Sequence, residues 1–210
     1  DDVLGNSLVN MRNQLEVNIE SEKQRTWATE GLAQIATILR SYSSVDELYS
    51  NVIGFVVKYM NANQGALFLL DDDSGEQELV MVSCYAYDKK KYLDKKIPVG
   101  QGLVGQAVLE KGIIYLTDIP TDYVHITSGL GQATPRSVVI VPLKSNETVL
   151  GVIEVASFEK MLKHEIDFIE KLAESIAASI GSIRTNERTR EMVGQLQQQT
   201  EQMRSQEEEM

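Results

Sequence analysis

Apolar residues recur at helical spacing at both ends of the chain. Near the amino terminus, four of them follow one another at intervals of four, three and four residues: Leu4, Leu8, Met11 and Leu15. This heptad-like seam, with no proline before residue 40, predicts one long helix or two nearly continuous ones. The helix cannot bury its apolar stripe alone, so we expect it to pack against a partner.

A second helical stripe lies near the carboxyl terminus. It is formed by Ile166, Ile169, Leu172, Ile176, Ile180 and Ile183. Further on, Leu196, Met203 and Met210 lie seven residues apart, but the thirteen residues from Ile183 to Leu196 do not keep the first register. The pattern predicts a phase slip near residues 186–193 and a marginal coiled coil beyond it.

The middle of the chain, about residues 41–160, has the turns and short apolar runs of a globular domain. Ser44, followed by Asp46 and Glu47, is a typical helix start. A short helix is predicted over 102–111, ended by Gly112, and a long loop over 118–136. Apolar runs predict strands at 65–70, 79–87, 97–99, 113–116, 137–143 and 149–156.

This order of elements predicts an α+β fold. Strands grouped as hairpins favour a mostly antiparallel sheet, and helices from both ends of the chain can cover one of its faces. The short helix and the long loop would then form a lid on the other face. A small-molecule pocket is expected on that second side.

Composition and charge narrow the classes of function. The chain has 210 residues and 42% of them are hydrophobic, which is ordinary for a folded protein. Twenty basic against 31 acidic residues give a net charge of −11. Because phosphate contacts dominate nucleic-acid affinity and the longest basic run is Lys89–Lys91, we expect no nucleic-acid partner.

The chemistry-bearing residues are few. One cysteine, Cys84, excludes an internal disulfide and a multi-cysteine metal site, and two histidines leave little for a metal centre. No nucleophile–base pair or phosphate-binding loop stands out, so we expect no catalytic residue and no metal. No apolar stretch approaches the ~20 residues that span a bilayer, and no signal peptide opens the chain, which favours a reducing cytoplasmic setting.

The glycine-rich segment from Ile97 to Ala107 resembles the signature of the GAF domain family of signalling modules. The segments 115–118 and 141–154 add to the resemblance, which extends over about residues 32–183. It implies the GAF fold, with the long end helices acting as coiled-coil signalling helices. The glycines agree with this assignment, because Gly100, Gly102 and Gly105 suit a tight strand-to-helix turn and Gly151 permits close backbone approach.

The resemblance leaves the ligand open. Members of the family bind cyclic nucleotides, bilins, haem, amino acids or nothing. The Asn-Lys…Phe…Asp-Glu signature of the cyclic-nucleotide binders is missing, and Cys84 has no adjacent histidine for covalent bilin attachment. The family's methionine-sulfoxide reductases need several cysteines. No cofactor can therefore be named, and an enzyme is not expected.

Eight residues are candidates for ligand binding, because they bring hydroxyl, imidazole or guanidinium groups to the second strand, the long loop and its borders. They are Tyr85, Tyr87, Tyr115, Thr117, Tyr123, His125, Ser128 and Arg136. Alternative roles remain open: aromatic packing between sheet and lid for the tyrosines, an ordinary loop histidine for His125, part of a glycine-rich lid for Ser128, and a surface residue for Arg136. Cys84 is expected to be an inert thiol, and Glu154 to lie on a polar strand face.

The first fifteen residues resemble the end of a HAMP domain's second helix. The matching positions are Asp1–Gly5, Leu8, Asn10–Met11 and Leu15. This resemblance implies a membrane-anchored bacterial receptor, as in two-component systems, of which the chain is the cytoplasmic portion at the inner membrane. His164 begins a motif similar to a kinase phosphoacceptor box, but we interpret it as the first turn of the last helix.

The predicted organisation has three parts. Residues 1–25 form the HAMP-like end and signalling helix, 26–183 the GAF domain with its core at 41–160, and 184–210 a coiled-coil linker. Burial of the stripes Leu4–Leu15 and Ile166–Ile183 between two copies, with about 1.5–3 kcal/mol from each Ile or Leu, predicts a parallel homodimer through the end helices. Two hypotheses follow: a sensory module that binds a small ligand, or a ligand-free dimeric relay whose pocket is filled by its own side chains.

Overall fold

The computed structural model describes residues 2–71, 77–86, 89–91, 96–120, 126–128 and 131–208. Its helices are α1 (Asp2–Ile38), α2 (Val45–Tyr59), α3 (Gly102–Glu110) and α4 (Lys163–Glu208). Its strands are β1 (Gln64–Asp71), β2 (Glu78–Ala86), β3 (Lys89–Lys91), β4 (Lys96–Pro98), β5 (Ile114–Leu116), β6 (Ile126–Ser128), β7 (Gly131–Ala133), β8 (Ser137–Ser145) and β9 (Thr148–Ser157). The predicted α+β fold is confirmed.

The strands form an antiparallel sheet in the order β3-β2-β1-β9-β8-β5, with β4 also paired to β2. The centre of the sheet is the pair β1–β9, flanked by the hairpin β8–β9. β1 is buried almost throughout, as expected for a central strand covered on both faces. A bulge between Leu67 and Phe68 in the pairing with β2 leaves Val82 without a partner in the register.

Each face of the sheet has its own apolar core. On one side, which we call the helical face, α1, α2 and α4 pack on residues such as Leu67, Val139 and Ile153. On the other side, which we call the second face, α3 and β6 pack on residues such as Phe68 and Ile140. This is the predicted two-sided arrangement.

Helices α1, α2 and α4 pack side by side on the helical face, and successive ones run in opposite directions. The short connection from α1 to α2 places Trp27 against Tyr59, with ring centroids 5.2 Å apart. Tyr59, at the end of α2, also meets Phe168 near the start of α4, whereas Tyr49, near the start of α2, lies beside Arg184 far along α4. Helices α1 and α4 are therefore both antiparallel to α2 and parallel to each other.

Both parallel helices extend beyond the sheet. In α1 the residues before Trp27 are almost all exposed, and in α4 every residue from 185 to 204 is exposed. The stripe Ile166–Ile183, expected to pair between two copies, instead packs into the helical-face core of its own domain. Because α1 and α4 run in the same direction, the exposed part of α1 projects from one end of the domain and that of α4 from the other. Among the described residues no helix is long and apolar enough to cross a membrane.

The residues predicted to start helices and form turns mostly do so in the structure. Ser44 caps α2, because its hydroxyl accepts a hydrogen bond from the Glu47 amide at 3.2 Å, and Gly100 and Gly102 have positive φ. Two details differ. The left-handed residue that ends α3 is Lys111, not Gly112, and the loop after β5 contains the two-stranded hairpin β6–β7, whose strands are too short and polar to be recognised by periodicity.

Candidate functional site

A row of paired residues crosses the second face of the sheet at its centre. Reading from β2 to β5, the partners are Cys84, Ala66, Glu154, Ile140 and Ile114. Paired residues in adjacent strands point to the same face, so Glu154 shares its face with the apolar core under α3. Glu154 is thus a carboxylate in the middle of an otherwise apolar row.

The position of Glu154 follows from the alternation along β9. Its neighbours Ile153 and Val155 are fully buried on the helical face, and successive strand residues point to opposite faces. Glu154 is half-buried. Since burying a charge is costly unless it is paired or hydrogen-bonded, a carboxylate on a central strand is most easily explained by partners above the sheet, and Glu154 does interact within the chain.

The surface around Glu154 has small side chains toward β2 and larger apolar ones toward β8. The next row on the same face runs through Gln64, Ala156, Val138 and Leu116. Ala66, Cys84 and Ala156 lie around Gln64 and on the β1 side of Glu154, whereas Ile140 of β8 and Val152 of β9 border Glu154 on its other sides. Glu154 and Gln64 therefore form the polar part of the floor of the candidate site.

The hairpin β6–β7 belongs to the loop part of the lid. Ile126 of β6 is 1% exposed and belongs to the apolar core of the second face, so the hairpin is anchored on the sheet. The chain then enters β8 through two fixed contacts. The Arg136 amide donates to the Ser157 carbonyl at 2.8 Å, and the Ser137 hydroxyl donates to the Glu159 carbonyl at 2.5 Å.

This arrangement favours ligands of one chemical type. A carboxylate accepts hydrogen bonds and pairs with cations, and the side-chain amide of Gln64 both donates and accepts. The surrounding apolar floor lowers the local dielectric constant and so strengthens such contacts. The site is suited to a small molecule with an amine or another strong hydrogen-bond donor and a compact apolar part.

Two of the predicted site residues lie on the helical face. Tyr85 packs beneath α2, where Lys58 lies 5.5 Å from the centre of its ring. Tyr115 packs against the same core and donates its hydroxyl to the Met161 carbonyl at 3.0 Å. The bulge at Val82 explains Tyr85, because it reverses the alternation and puts Cys84, instead of Tyr85, on the face of Leu79 and Met81.

The other predicted residues divide into three groups. Thr117 is exposed directly after β5, and Arg136 is exposed directly before β8. Ser128 ends β6, in the hairpin that lies over the second face. Tyr87, Tyr123 and His125 lie outside the described residues. The eight candidates are thus not gathered in one place by the part of the chain that the structure describes.

Glu154 and Gln64 were not among the predicted ligand-binding residues. A signal existed for Glu154, because it is the only charged residue in the ten-residue strand Thr148–Ser157. Its significance depends on pairing with Ala66 and Ile140, which cannot be read from β9 alone.

Two tyrosines with raised pKa values lie on the helical face. Burial raises the pKa of Tyr49, although nearby Arg184 lowers it, and burial likewise raises the pKa of Tyr59. Both hydroxyls therefore stay protonated at neutral pH. Within the described ranges, no three His, Cys, Asp or Glu side chains are placed to hold a metal ion.

Comparison with known proteins agrees with this architecture. A sequence model of the GAF domain matches residues 43–180, about two thirds of the chain. The chain therefore belongs to the GAF domain family, a family of signalling and ligand-binding modules. A comparison with curated protein sequences found no match.

Solved structures show the same fold. The GAF domain of a Coxiella burnetii phosphoenolpyruvate-protein phosphotransferase is 20% identical, with a TM-score of 0.62 over 76% of this chain and 95% of that one. The free methionine-R-sulfoxide reductase of Neisseria meningitidis, solved with its substrate, is also 20% identical, with a TM-score of 0.61 over 76% and 91%. The GAF-B domain of DevS from Mycobacterium smegmatis is 17% identical, with a TM-score of 0.53 over 74% and 98%.

Proposed function

We propose that this chain is a cytoplasmic sensory module of a bacterial signal-transduction receptor and that it binds a small molecule on the second face of its sheet. The observation that carries the proposal is the half-buried Glu154 on a central strand, close to Gln64 and to the small side chains of Ala66 and Ala156. The ligand presents an amine or another hydrogen-bond donor to Glu154. It joins or replaces the interaction that this side chain already makes within the chain.

Strand β8 connects such a site to the helices. Val138 and Ile140 of this strand face the site, while Val139 and Val141 lie in the same core as α4 residues such as Ile169. A displacement of β8 on ligand binding is therefore passed directly to α4. Coupling of this kind requires that the ligand bind the two positions of α4 with different affinity.

The directions of the helices suit a relay. Helix α1 enters at one end of the domain and α4 leaves at the other, so a movement can pass through the core between an upstream and a downstream part of a receptor. We propose that α1 continues from a HAMP-like, membrane-anchored part and that α4 leads to an output domain.

The exposed stripes suit a parallel homodimer. In the single chain the stripe of α1 is between 55% and 74% exposed, at Leu4, Leu8, Met11 and Leu15. The stripe near the end of α4 is also exposed, with Leu196 at 57% and Met203 at 61%. Pairing of α1 with α1 and of α4 with α4 in a second copy covers both stripes. The polar residues between Leu196 and Met203 keep the second pairing weak, which allows two packings of similar free energy.

A regulatory role is favoured over a catalytic one by the chemistry present. The chain has a single cysteine, and Cys84 is buried on the floor of the site. The likeness to a methionine-sulfoxide reductase is a likeness of fold.

The alternative is a ligand-free relay with a filled interior. It is favoured by the full burial of Ile126, which shows that the hairpin already rests on the sheet. Native mass spectrometry of the purified chain, followed by denaturation of the same sample, separates the two. A dimer that releases one defined small molecule supports the sensor. A dimer with nothing bound supports the relay, and a monomer contradicts the parallel-helix mechanism of both.

A further inference from the structure

A second cleft lies on the helical face, at the end of the domain where α4 leaves it. It has a volume of about 430 Å³, within the range of small-molecule sites. Its floor is formed by Leu69, Val80 and Val82. Val80 and Val82 are only half-buried, whereas most other apolar residues of this face are fully covered by helices. The cleft is thus a stretch of sheet left open between α2 and α4.

One wall of the cleft carries fixed donors. The Arg184 guanidinium donates to the Leu70 carbonyl at 2.7 Å, which holds the side chain against the end of β1. Guanidinium has five N–H donors, so this bond uses only part of its capacity. The buried Tyr49 of α2 also lines the cleft, and one turn further along α4 Arg188 adds a second guanidinium.

The same cleft also carries negative charge. Asp71, Glu187 and Glu191 line it together with Arg184 and Arg188. An anionic ligand would meet three carboxylates, and a cationic ligand would meet two guanidinium groups. A ligand with one charge of each sign satisfies both sets, and an aliphatic group would cover Val80 and Val82.

We propose that this cleft binds a zwitterionic aliphatic amino acid, with its carboxylate on Arg184 and Arg188, its ammonium group toward the acidic side chains, and its side chain on the valine floor. The site is separate from the one around Glu154, which lies on the opposite face of the sheet. Because Ile183 is the last buried residue of α4 up to residue 204, a ligand held by Arg184 and Arg188 adds one turn to the part of α4 that is docked on the domain.

The test is isothermal titration calorimetry of the full chain with three probes: L-leucine, 3-methylbutylamine and 4-methylpentanoic acid. The last two keep the aliphatic group but lack the carboxylate or the ammonium group. We expect L-leucine to bind at least about tenfold more tightly than either, because each loses one set of charge-assisted hydrogen bonds. Equal affinity of leucine and one analogue, or no binding of leucine at millimolar concentration, overturns the proposal.

Variants locate the binding. Arg188→Gln should weaken leucine binding about tenfold, whereas Arg190→Gln, an exposed residue on the same helix that does not line the cleft, should leave it unchanged. Equal losses in the two variants contradict the assignment. Loss in Glu154→Gln with normal binding in Arg188→Gln assigns leucine to the second face and also refutes it.

Hydrogen exchange gives an independent readout. Leucine should slow amide exchange in residues 184–191, since the ligand bridges these residues to the sheet. Protection confined to β8 and β9 would place the ligand on the other face and would overturn the proposal.

Discussion

Replacement of Gly31 of α1 by alanine should destabilise the protein, although a glycine-to-alanine change inside a helix is normally stabilising. A Cβ atom at Gly31 would lie 2.5 Å from Cε1 of Tyr59 and 2.6 Å from Cζ of Phe168. Neither ring can move easily, because Tyr59 donates its hydroxyl to the Trp27 carbonyl at 2.6 Å and Phe168 is 1% exposed. Gly31→Ala therefore forces α1 away from α2 and α4.

The magnitude follows from two opposing terms. Overpacking of a tight core costs about 1–3 kcal/mol, and the stiff neighbours place Gly31→Ala in the upper half of that range. Alanine recovers about 1 kcal/mol, because it has the higher helix propensity. The net loss is about 1–2 kcal/mol, which lowers the Tm of a chain of this size by between about 2 and 8 °C.

Gly181→Ala is the matched control. It lies in the docked part of α4, and its Cβ would meet only the flexible Leu150 Cδ1, at 3.4 Å. Here the propensity term dominates, so stability should stay unchanged or rise by up to about 1 kcal/mol. Both variants are compared with the parent by urea and thermal unfolding. Stabilisation of equal size by Gly31→Ala would refute the close contact of α1 with α2 and α4.

Three further predictions concern other contacts. Gly151→Ala should cost at least about 2 kcal/mol in urea unfolding, since its Cβ would collide with the Phe68 carbonyl in the β1–β9 pairing; an unfolding midpoint equal to the parent's would contradict that register. Ser44→Ala should cost about 1 kcal/mol, because the Glu47 amide loses its cap, and Ser44→Asp should restore it. Burial raises the pKa of Tyr49, so its contribution to stability is complete below pH ~10, where the unfolded tyrosine titrates, and falls as pH rises through the folded pKa. The free energy of unfolding should therefore decline above pH ~10, and Tyr49→Phe should decline less; an unchanged slope would count against the burial of this hydroxyl.

The helices and most strands could be predicted because their signals are local. The Ser44 cap, the buried run of β1 and the glycines before α3 each act within a few residues. The assignment of side chains to faces was harder. Alternation along β2 puts Tyr85 with Leu79, but a bulge at Val82 reverses the alternation beyond it. Such a bulge is set by pairing with β1, which is a long-range contact.

The candidate site depends on the same long-range information. Glu154 gains its significance from Ala66 and Ile140, which lie on two other strands. From the sequence alone, a single glutamate in an apolar strand is interpreted as a residue on an exposed face of that strand. The cleft beside Arg184 is further removed from any local pattern, because residues from α2, β1, β2 and α4 meet only in the folded chain.

We propose above that the second face of the sheet binds a small ligand through Glu154. The most direct test compares the parent with Glu154→Gln and with Glu147→Gln, which makes the same change at an exposed turn. Each purified protein is examined by native mass spectrometry and then denatured. The parent and Glu147→Gln should release the same small molecule, and a folded Glu154→Gln should release none. Retention of that molecule by Glu154→Gln, or its absence from all three proteins, would contradict the claim.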